Sequence, residues 1–283
     1  MVRLYIYAEV FVLEKNEINE IKKENKESET DIIRQETENY NNSTENVTSD
    51  DNIDRTQILG RGLLTLFREC LDSEYTDVGK SASYAVRQDG KHLYIFFECS
   101  NGIEDWLNNL DFRYVPYDCG GDNKEYTSSS VYAHNGFMNV WQSVKPYIYD
   151  AIEKSKPEYI TVVGYSHGAA LAVLCYDSLV DMFPDNVDCY AFGAPRVLAF
   201  SDAAEEGEIS GNGYQSRFGH CYIIRNLNDL VTHLPPSALG YRHVGTIIDI
   251  GERGKYSCYD CPDIDAHRPE SYLNELSAIA FGQ

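Results

Sequence analysis

Basic residues are scarce in this chain of 283 residues. It carries 24 Lys and Arg against 45 Asp and Glu, which gives a formal net charge of −21 at pH 7. Proteins that bind nucleic acid or anionic lipid need clustered positive charge, so we expect neither as a partner. Hydrophobic residues make up 43% of the sequence, which is enough for a core and excludes a chain that is disordered throughout.

Long hydrophobic runs are also missing. No apolar stretch approaches the roughly 20 residues that span a bilayer, so we expect no stable insertion into a membrane. Residues 1–13 are apolar and rich in β-formers, which predicts a strand. Tyr5, Tyr7 and Glu9 interrupt this run and no small-residue cleavage site follows it, so the sequence favours a cytoplasmic location over export.

The eight cysteines are expected to be free thiols, because disulfide frameworks belong to exported proteins. Cys258 and Cys261 form a C-x-x-C, a pattern that occurs as half of zinc sites and in redox pairs. No second C-x-x-C and no His pair complete a tetrahedral set, so surface thiols are the preferred interpretation. The sequence predicts neither a metal nor an organic cofactor.

Residues 14–56 differ abruptly from the rest of the chain. They include 13 acidic and 6 basic residues, with few apolar ones and many Asn, Ser and Thr. Such a segment cannot bury enough surface to offset the entropy of ordering, so we predict that it is largely disordered. The sequence therefore predicts an N-terminal strand over 1–13, an acidic segment over 14–56 and one catalytic domain over 57–283.

From about residue 58 onward, segments typical of strands and of helices alternate. Residues 83–87 and 92–97 have the strand pattern and flank Asp89-Gly90, a turn sequence that favours a hairpin. A helix is predicted where apolar residues recur at helical spacing: Phe137, Val140, Trp141, Val144, Ile148 and Ile152. Pro146 is expected to kink or split it. The alternation predicts a mainly parallel sheet covered by helices on both faces.

The segment 159–172, YITVVGYSHGAALA, contains the pattern G-x-S-x-G. A β-rich run precedes the pattern and a helix-forming run follows it, as a nucleophile elbow requires. Gly164 and Gly168 leave room for a strained turn at Ser166, and the helix N-terminus faces the site where negative charge develops. The alternative is a structural turn with a surface serine. We predict that Ser166 is a nucleophile.

A serine needs a base, and the base needs an acid that orients it. Asp229 follows the strand-like run at 221–225, which puts it at the carboxyl end of a strand, where sites of parallel sheets gather. Asp202 and Asp249 are weaker candidates for the acid.

Five histidines follow the serine: His167, His220, His233, His243 and His267. His167 is too close to the serine to act as its base, although its N–H can serve the oxyanion. His243 precedes an apolar strand and is more typical of a structural histidine. His267 lies in a late polar loop, where this architecture places its base. Spacing alone favours His267 and leaves His243 open.

Taken in order, these motifs resemble class three lipases, the fungal-type triacylglycerol lipase family of the α/β-hydrolase fold. The resemblance spans roughly residues 83–276, and its most specific parts are the elbow and the run YAFGAPRV at 190–197. The other stretches are FFECS at 96–100, DW at 105–106, AHNGF at 133–137, RN-x-x-D-x-V at 225–231, LPP at 234–236, GYRHVG at 240–245, and His267 before Tyr272.

The resemblance implies an α/β-hydrolase fold with Ser166 as nucleophile, Asp229 as acid and His267 as base. The backbone N–H groups of His167 and Ser100 are then expected to stabilise the oxyanion. Cys99 stands where the family usually has glycine, so the oxyanion loop is expected to differ slightly.

The resemblance also implies an ester substrate, either a small molecule or a lipid. Residues 113–132, where a lid would hang, are mostly polar and lack the amphipathic helix of an interfacial lid. This composition favours a soluble esterase over a lipase that acts on emulsified fat. An acyltransferase that uses the same three residues remains an alternative, as does a binding module that has lost its chemistry.

Overall fold

The computed structural model describes residues 49–78, 82–98, 112–117, 131–200, 217–252 and 264–282. The strand predicted over 1–13, most of the acidic segment, Ser100 and the Cys258–Cys261 pair lie outside these ranges. The chain divides into two compact units, one made of residues 1–66 and 273–283 and the other of residues 67–272.

Helix α1, Ser49–Asp72, begins inside the acidic segment that we predicted to be disordered. The prediction is wrong for residues 49–56, which form the first turns of this helix. The composition of these residues does not predict a helix, because the packing that stabilises the helix involves an apolar face further along its length. Here that face follows directly, with Leu59, Leu63 and Leu66 buried.

In the first unit, α1 is bonded to the last helix of the chain, α4, Pro269–Phe281. The Nε atom of Arg61 donates a hydrogen bond to the carbonyl oxygen of Ala280 over 3.2 Å. Leu276 and Ala280 are both fully buried.

No helix in the described ranges is long and apolar enough to cross a membrane.

The second unit is built on a mainly parallel sheet. Across the described residues its seven strands lie in the order β1-β2-β3-β6-β7-β9-β11. The bounds are Thr76–Val78, Ala82–Asp89, His92–Phe97, Tyr159–Tyr165, Val187–Phe192, Cys221–Asn226 and Thr246–Ile250. Strands β1, β2 and β3 are antiparallel, and β3, β6, β7, β9 and β11 are parallel. The predicted hairpin at Asp89-Gly90 joins β2 to β3. The predicted α/β fold is confirmed.

A second, smaller sheet was not predicted. It has the order β10-β8-β5-β4 and all its pairings are antiparallel. Its strands are only two to four residues long: β4 is Tyr114–Pro116, β5 is Val131–His134, β8 is Leu198–Phe200 and β10 is Tyr241–Arg242. Strands this short carry too little alternation to be recognised from sequence.

Helices α2, Asn135–Ser155, and α3, His167–Leu179, pack against each other and against the central sheet. The apolar spacing predicted the buried face of α2 correctly. Pro146 does not split α2, which runs through it as one helix. Burial of Val144 and Ile148 on either side of the proline stabilises the helix against the missing N–H bond.

An ion cluster ties the end of α3 to the chain that precedes β9. The guanidinium of Arg217 donates to the carboxylates of Asp177 and Asp181, each over 2.6 Å, and the hydroxyl of Tyr117 donates to Asp177 over 2.7 Å. Arg217 and Asp177 are almost completely buried. Burial alone would lower the pKa of Arg217, but the two carboxylates raise it above its ordinary value.

Replacing Asp177 with alanine is expected to lower the free energy of unfolding by about 3–5 kcal/mol, because it leaves a buried guanidinium short of its partner. Chemical denaturation of the purified variant measures this loss. Asp150→Ala is the matched control, since the Asp150–Lys154 pair is exposed on α2 and contributes little. Equal effects of the two substitutions would contradict the role of the cluster.

Candidate active site

Ser166 lies in the turn between β6 and α3, as the elbow pattern predicts. Its φ of 58° and ψ of −121° are rare for a residue with a side chain. The two glycines make this turn sterically feasible. A Cβ on Gly164 would overlap the carbonyl oxygen of Gly168, and a Cβ on Gly168 would overlap that of Phe97. Strand β6, the turn and α3 therefore pack as closely as an elbow needs.

The three residues predicted from sequence form one hydrogen-bonded chain. The distance from Ser166 Oγ to His267 Nε2 is 2.8 Å, and that from His267 Nδ1 to Asp229 Oδ2 is 2.7 Å. Ser166 and Asp229 have no exposed surface and His267 is 3% exposed. Residues 63 and 38 positions apart in sequence thus meet at the carboxyl ends of β6 and β9.

His267 ends a 3₁₀ turn, Asp265–His267, just before α4. Neighbouring residues hold this turn by its main chain. The side-chain amide of Asn226, at the end of β9, donates to the carbonyl of Ala266 over 3.2 Å. The hydroxyl of Tyr165 donates to the carbonyl of His267 itself. The imidazole is therefore positioned through its backbone as well as through its ring.

The carboxylate of Asp229 is fully satisfied although it is buried. The backbone N–H of Val231 donates to Oδ1 over 2.8 Å, and the hydroxyl of Tyr272 donates to Oδ2 over 2.6 Å. Tyr272 in turn accepts the backbone N–H of Asn226 over 3.1 Å. Burial and the neighbouring Asp229 raise the pKa of Tyr272 well above its ordinary value, so its proton remains available to the carboxylate.

Gly193, in the run YAFGAPRV, passes directly beside the histidine and the aspartate. Its φ is +58°, which favours glycine. A Cβ at this position would lie 3.1 Å from His267 Cε1, 3.1 Å from the Tyr272 hydroxyl and 3.3 Å from Asp229 Oδ2. A side chain here would press on the three groups, which explains the glycine in this motif.

Arg196, three residues further on, holds the loop that follows the aspartate. Its backbone N–H donates to the carbonyl of Leu234 over 2.7 Å. Its Nη1 atom donates to the carbonyls of His233 and Pro235 over 2.5 and 2.9 Å. The arginine of the motif thus fixes the far end of the segment that begins at Asp229.

His167 is the first residue of α3, so its backbone N–H lies at the positive end of the helix dipole, next to Ser166. Burial and the nearby His134 lower the pKa of its imidazole to about 4, so the side chain is neutral at pH 7. The ring packs edge-on against Phe137 at 5.5 Å. Ser100, the other predicted oxyanion donor, lies outside the described residues.

The alternative candidates are engaged elsewhere. Nε2 of His243 donates to the carbonyl of Thr232 over 2.8 Å, and burial lowers the pKa of this histidine to about 3. It has the contacts of a structural histidine, as its sequence context indicates. Asp249 forms a bidentate pair with Arg225 at 2.7 and 2.9 Å. Asp202 lies outside the described residues.

Sequence reasoning missed the supporting contacts of Tyr165, Asn226 and Gly193. These three residues and Tyr272 belong to the sequence motifs, but the motifs do not indicate their contacts. No local pattern identifies such residues, because each acts across more than 25 positions of sequence. In the described part of the chain, no group of three or more His, Cys, Asp or Glu could hold a metal ion.

The sequence of this chain matches a known protein family. The sequence model described as "Lipase (class 3)" matches residues 94–239, just over half of the chain. The chain belongs to the class 3 lipase family. The matched stretch contains Ser166 and Asp229, and it ends before His267.

Individual lipases are similar to this chain over part of their length. The lipase of Rhizomucor miehei is 30% identical over 175 residues, which cover 58% of this chain and 43% of that protein. Secreted mono- and diacylglycerol lipase 1 of Fusarium solani is 28% identical over 59% of this chain and 46% of its own length. The chain thus matches less than half of the length of these curated relatives.

Solved lipase structures share the fold. A crystal structure of a fungal lipase superposes with a TM-score of 0.53 at 16% identity, over 84% of this chain and all of that one. The Rhizomucor miehei lipase propeptide complex gives 0.50 at 21% identity, over 81% of this chain and 80% of that one. At this level of identity the likeness concerns the fold alone.

Proposed function

We propose that this chain is a serine hydrolase that cleaves carboxylic esters through an acyl-enzyme at Ser166. The observation that carries the proposal is the unbroken hydrogen-bonded chain from Ser166 through His267 to Asp229. A binding module that had lost its chemistry would have no need to keep all three groups in register at a strained turn.

The first half of the reaction forms the acyl-enzyme. His267 Nε2 takes the proton of the Ser166 hydroxyl as Oγ attacks the ester carbonyl. The resulting imidazolium gives that proton to the alkoxide oxygen of the leaving alcohol, which departs as the carbonyl re-forms. In the second half, water replaces the alcohol, and the same proton transfers release a carboxylic acid and restore the serine.

Asp229 and the helix end have supporting roles in this reaction. Asp229 accepts the Nδ1–H of His267, which fixes the tautomer whose Nε2 is free to act as base. The backbone N–H of His167, with that of Ser100, stabilises the negative charge of the tetrahedral intermediate. No metal or organic cofactor takes part in this scheme.

Covalent labelling and turnover together test the proposal. The full chain is incubated with nitrophenyl esters of graded chain length and, separately, with an alkyl fluorophosphonate. We expect release of nitrophenol and one phosphonate on the peptide that contains Ser166, with inhibition proportional to labelling. Absence of turnover on every ester, or labelling elsewhere with full inhibition, would overturn it. Transfer of the acyl group to added alcohol in preference to water would favour the acyltransferase.

The proposed substrate class is supported by the composition of residues 113–132 and by the relatives. The Fusarium solani relative is named as a mono- and diacylglycerol lipase, so we propose lipid or small-molecule esters here. The polar sequence of residues 113–132 leads us to favour short, dispersed esters over an oil surface.

We expect no jump in the rate on tributyrin at the solubility limit of this ester, because the dispersed molecules are the substrate and their concentration stops rising there. An interfacial lipase instead gains activity there, because its lid opens and its apolar face contacts lipid. Titration with a pH-stat across the limit measures the rate. A sharp rise above it would show an interfacial lipase and contradict the esterase interpretation.

A further inference from the structure

Tyr165, the residue immediately before the nucleophile, contacts the candidate base in two ways. Its phenol ring stacks on the imidazole of His267, with centroids 5.3 Å apart and planes inclined by 22°. Its hydroxyl donates a hydrogen bond to the main-chain carbonyl of the same residue. One side chain therefore bounds a face of the imidazole and also fixes the backbone that carries it.

The phenol ring itself is held rigidly. Tyr165 is the last residue of β6, pairs with Phe192 of β7, and is only 2% exposed. Phe67 lies edge-on to its ring at 5.3 Å, and Tyr272 lies edge-on at 5.9 Å. A ring that packs against two other aromatic rings and is anchored to a central strand cannot follow the imidazole if the imidazole tilts.

The reaction requires that Nε2 of His267 stay directed at Ser166. The hydrogen bond from His267 to Asp229 does not ensure this alone. A single hydrogen bond at Nδ1 leaves the ring free to swing about that bond, and Nε2 would then move away from Ser166. A flat ring stacked on one face restricts this rotation. The π face of a tyrosine also favours the imidazolium that forms during acyl transfer over the neutral ring.

We infer that Tyr165 is a positioning residue that keeps His267 Nε2 aimed at Ser166 by stacking on the imidazole and by holding the carbonyl of His267. This inference rests on the proposed function. It predicts that changes at Tyr165 lower the rate of the chemical step and leave substrate binding nearly unchanged.

Two substitutions separate the hydroxyl from the ring. Tyr165→Phe keeps the stacked ring and should lower kcat roughly 3–10-fold, whereas Tyr165→Leu removes both contacts and should lower it about 10²-fold. In each variant KM should stay within about twofold of the wild-type value, because the residue does not bind substrate. If the leucine variant fails to fold, the phenylalanine variant still gives a decisive kcat.

Tyr176→Phe is the matched control. Tyr176 is equally buried, and its hydroxyl also donates to a main-chain carbonyl, that of Arg217, but in the ion cluster at the end of α3. We expect both phenylalanine variants to lose some stability and only Tyr165→Phe to lose kcat. Equal losses of kcat in the two variants would show a general structural effect and overturn the inference.

A double-mutant cycle completes the test. In a His267→Ala background, Tyr165→Leu should cause no further loss of the residual hydrolysis, because Tyr165 acts through the histidine. A further loss of the size measured in the wild-type background would refute this. Retained hydrolysis by Ser166→Ala would defeat the proposed function itself, whereas unchanged kcat in both Tyr165 variants defeats only the role given to Tyr165.

Discussion

Replacement of Ser166 with alanine is expected to lower the kcat for ester hydrolysis by a factor of about 10³ or more. The alanine has no oxygen that could attack the ester, and the water that could replace it lacks the alignment of a fixed hydroxyl. Labelling by a fluorophosphonate should disappear in the same variant. Initial rates on a nitrophenyl ester, together with the mass of the labelled protein, measure both effects.

The fold of the Ser166→Ala variant should remain intact. Alanine keeps the Cβ of serine, so the strained backbone of the elbow is unchanged, and among the described residues the oxygen bonds to His267 alone. Ser178→Ala is the matched control, since Ser178 lies on the same helix and its hydroxyl donates to the carbonyl of Cys175. We expect wild-type kcat for this control. Near-wild-type hydrolysis by the Ser166 variant would reject the acyl-enzyme mechanism.

His267→Ala should lower kcat about as much as loss of the serine, because the two groups act as one unit. Without the imidazole, nothing removes the proton of Ser166 Oγ or returns it to the leaving alcohol. Buried Asp229 loses one of its partners as well, although Tyr272 and Val231 still donate to it. The kcat from steady-state kinetics and the rate of phosphonate labelling should both fall.

The substitution His243→Ala tests whether His243 has a structural role and leaves the role of base to His267. Its loss leaves the carbonyl of Thr232 without this donor, which destabilises the protein by about 1–3 kcal/mol. We expect thermal unfolding at a lower temperature and a kcat within a few-fold of wild type where the protein is folded. If His243→Ala abolished turnover and His267→Ala did not, the assignment of the base would be reversed.

The sequence was sufficient for the parts of the site that depend on local geometry. Gly164 and Gly168 identify the elbow because only glycine allows strand, turn and helix to approach so closely. Asp229 was predictable because the end of a parallel strand is a fixed place in this architecture. Spacing alone favoured His267 without excluding His243, and the resemblance to lipases strengthened that choice.

The remaining features could not be derived, because they depend on contacts between distant segments. Nothing around Tyr272 indicates a hydrogen bond to a carboxylate 43 residues earlier. The short strands of the small sheet, such as Leu198–Phe200, exist only through their pairing. The start of α1 at Ser49 and the continuity of α2 through Pro146 show the same effect, since packing overrides local composition in both.

The four cysteines in the described ranges, Cys70, Cys175, Cys189 and Cys221, are buried, and the last three are free thiols. Burial raises the pKa of the Cys175 and Cys189 thiols, so an alkylating reagent meets neither access nor thiolate in the native state. The reaction of these thiols with an alkylating reagent therefore measures transient local opening of the native structure. Cys189 and Cys221 sit opposite each other on β7 and β9, and Cys175 lies on α3. Their alkylation rates under native conditions would report the free energy of opening the sheet and this helix separately, without any introduced label.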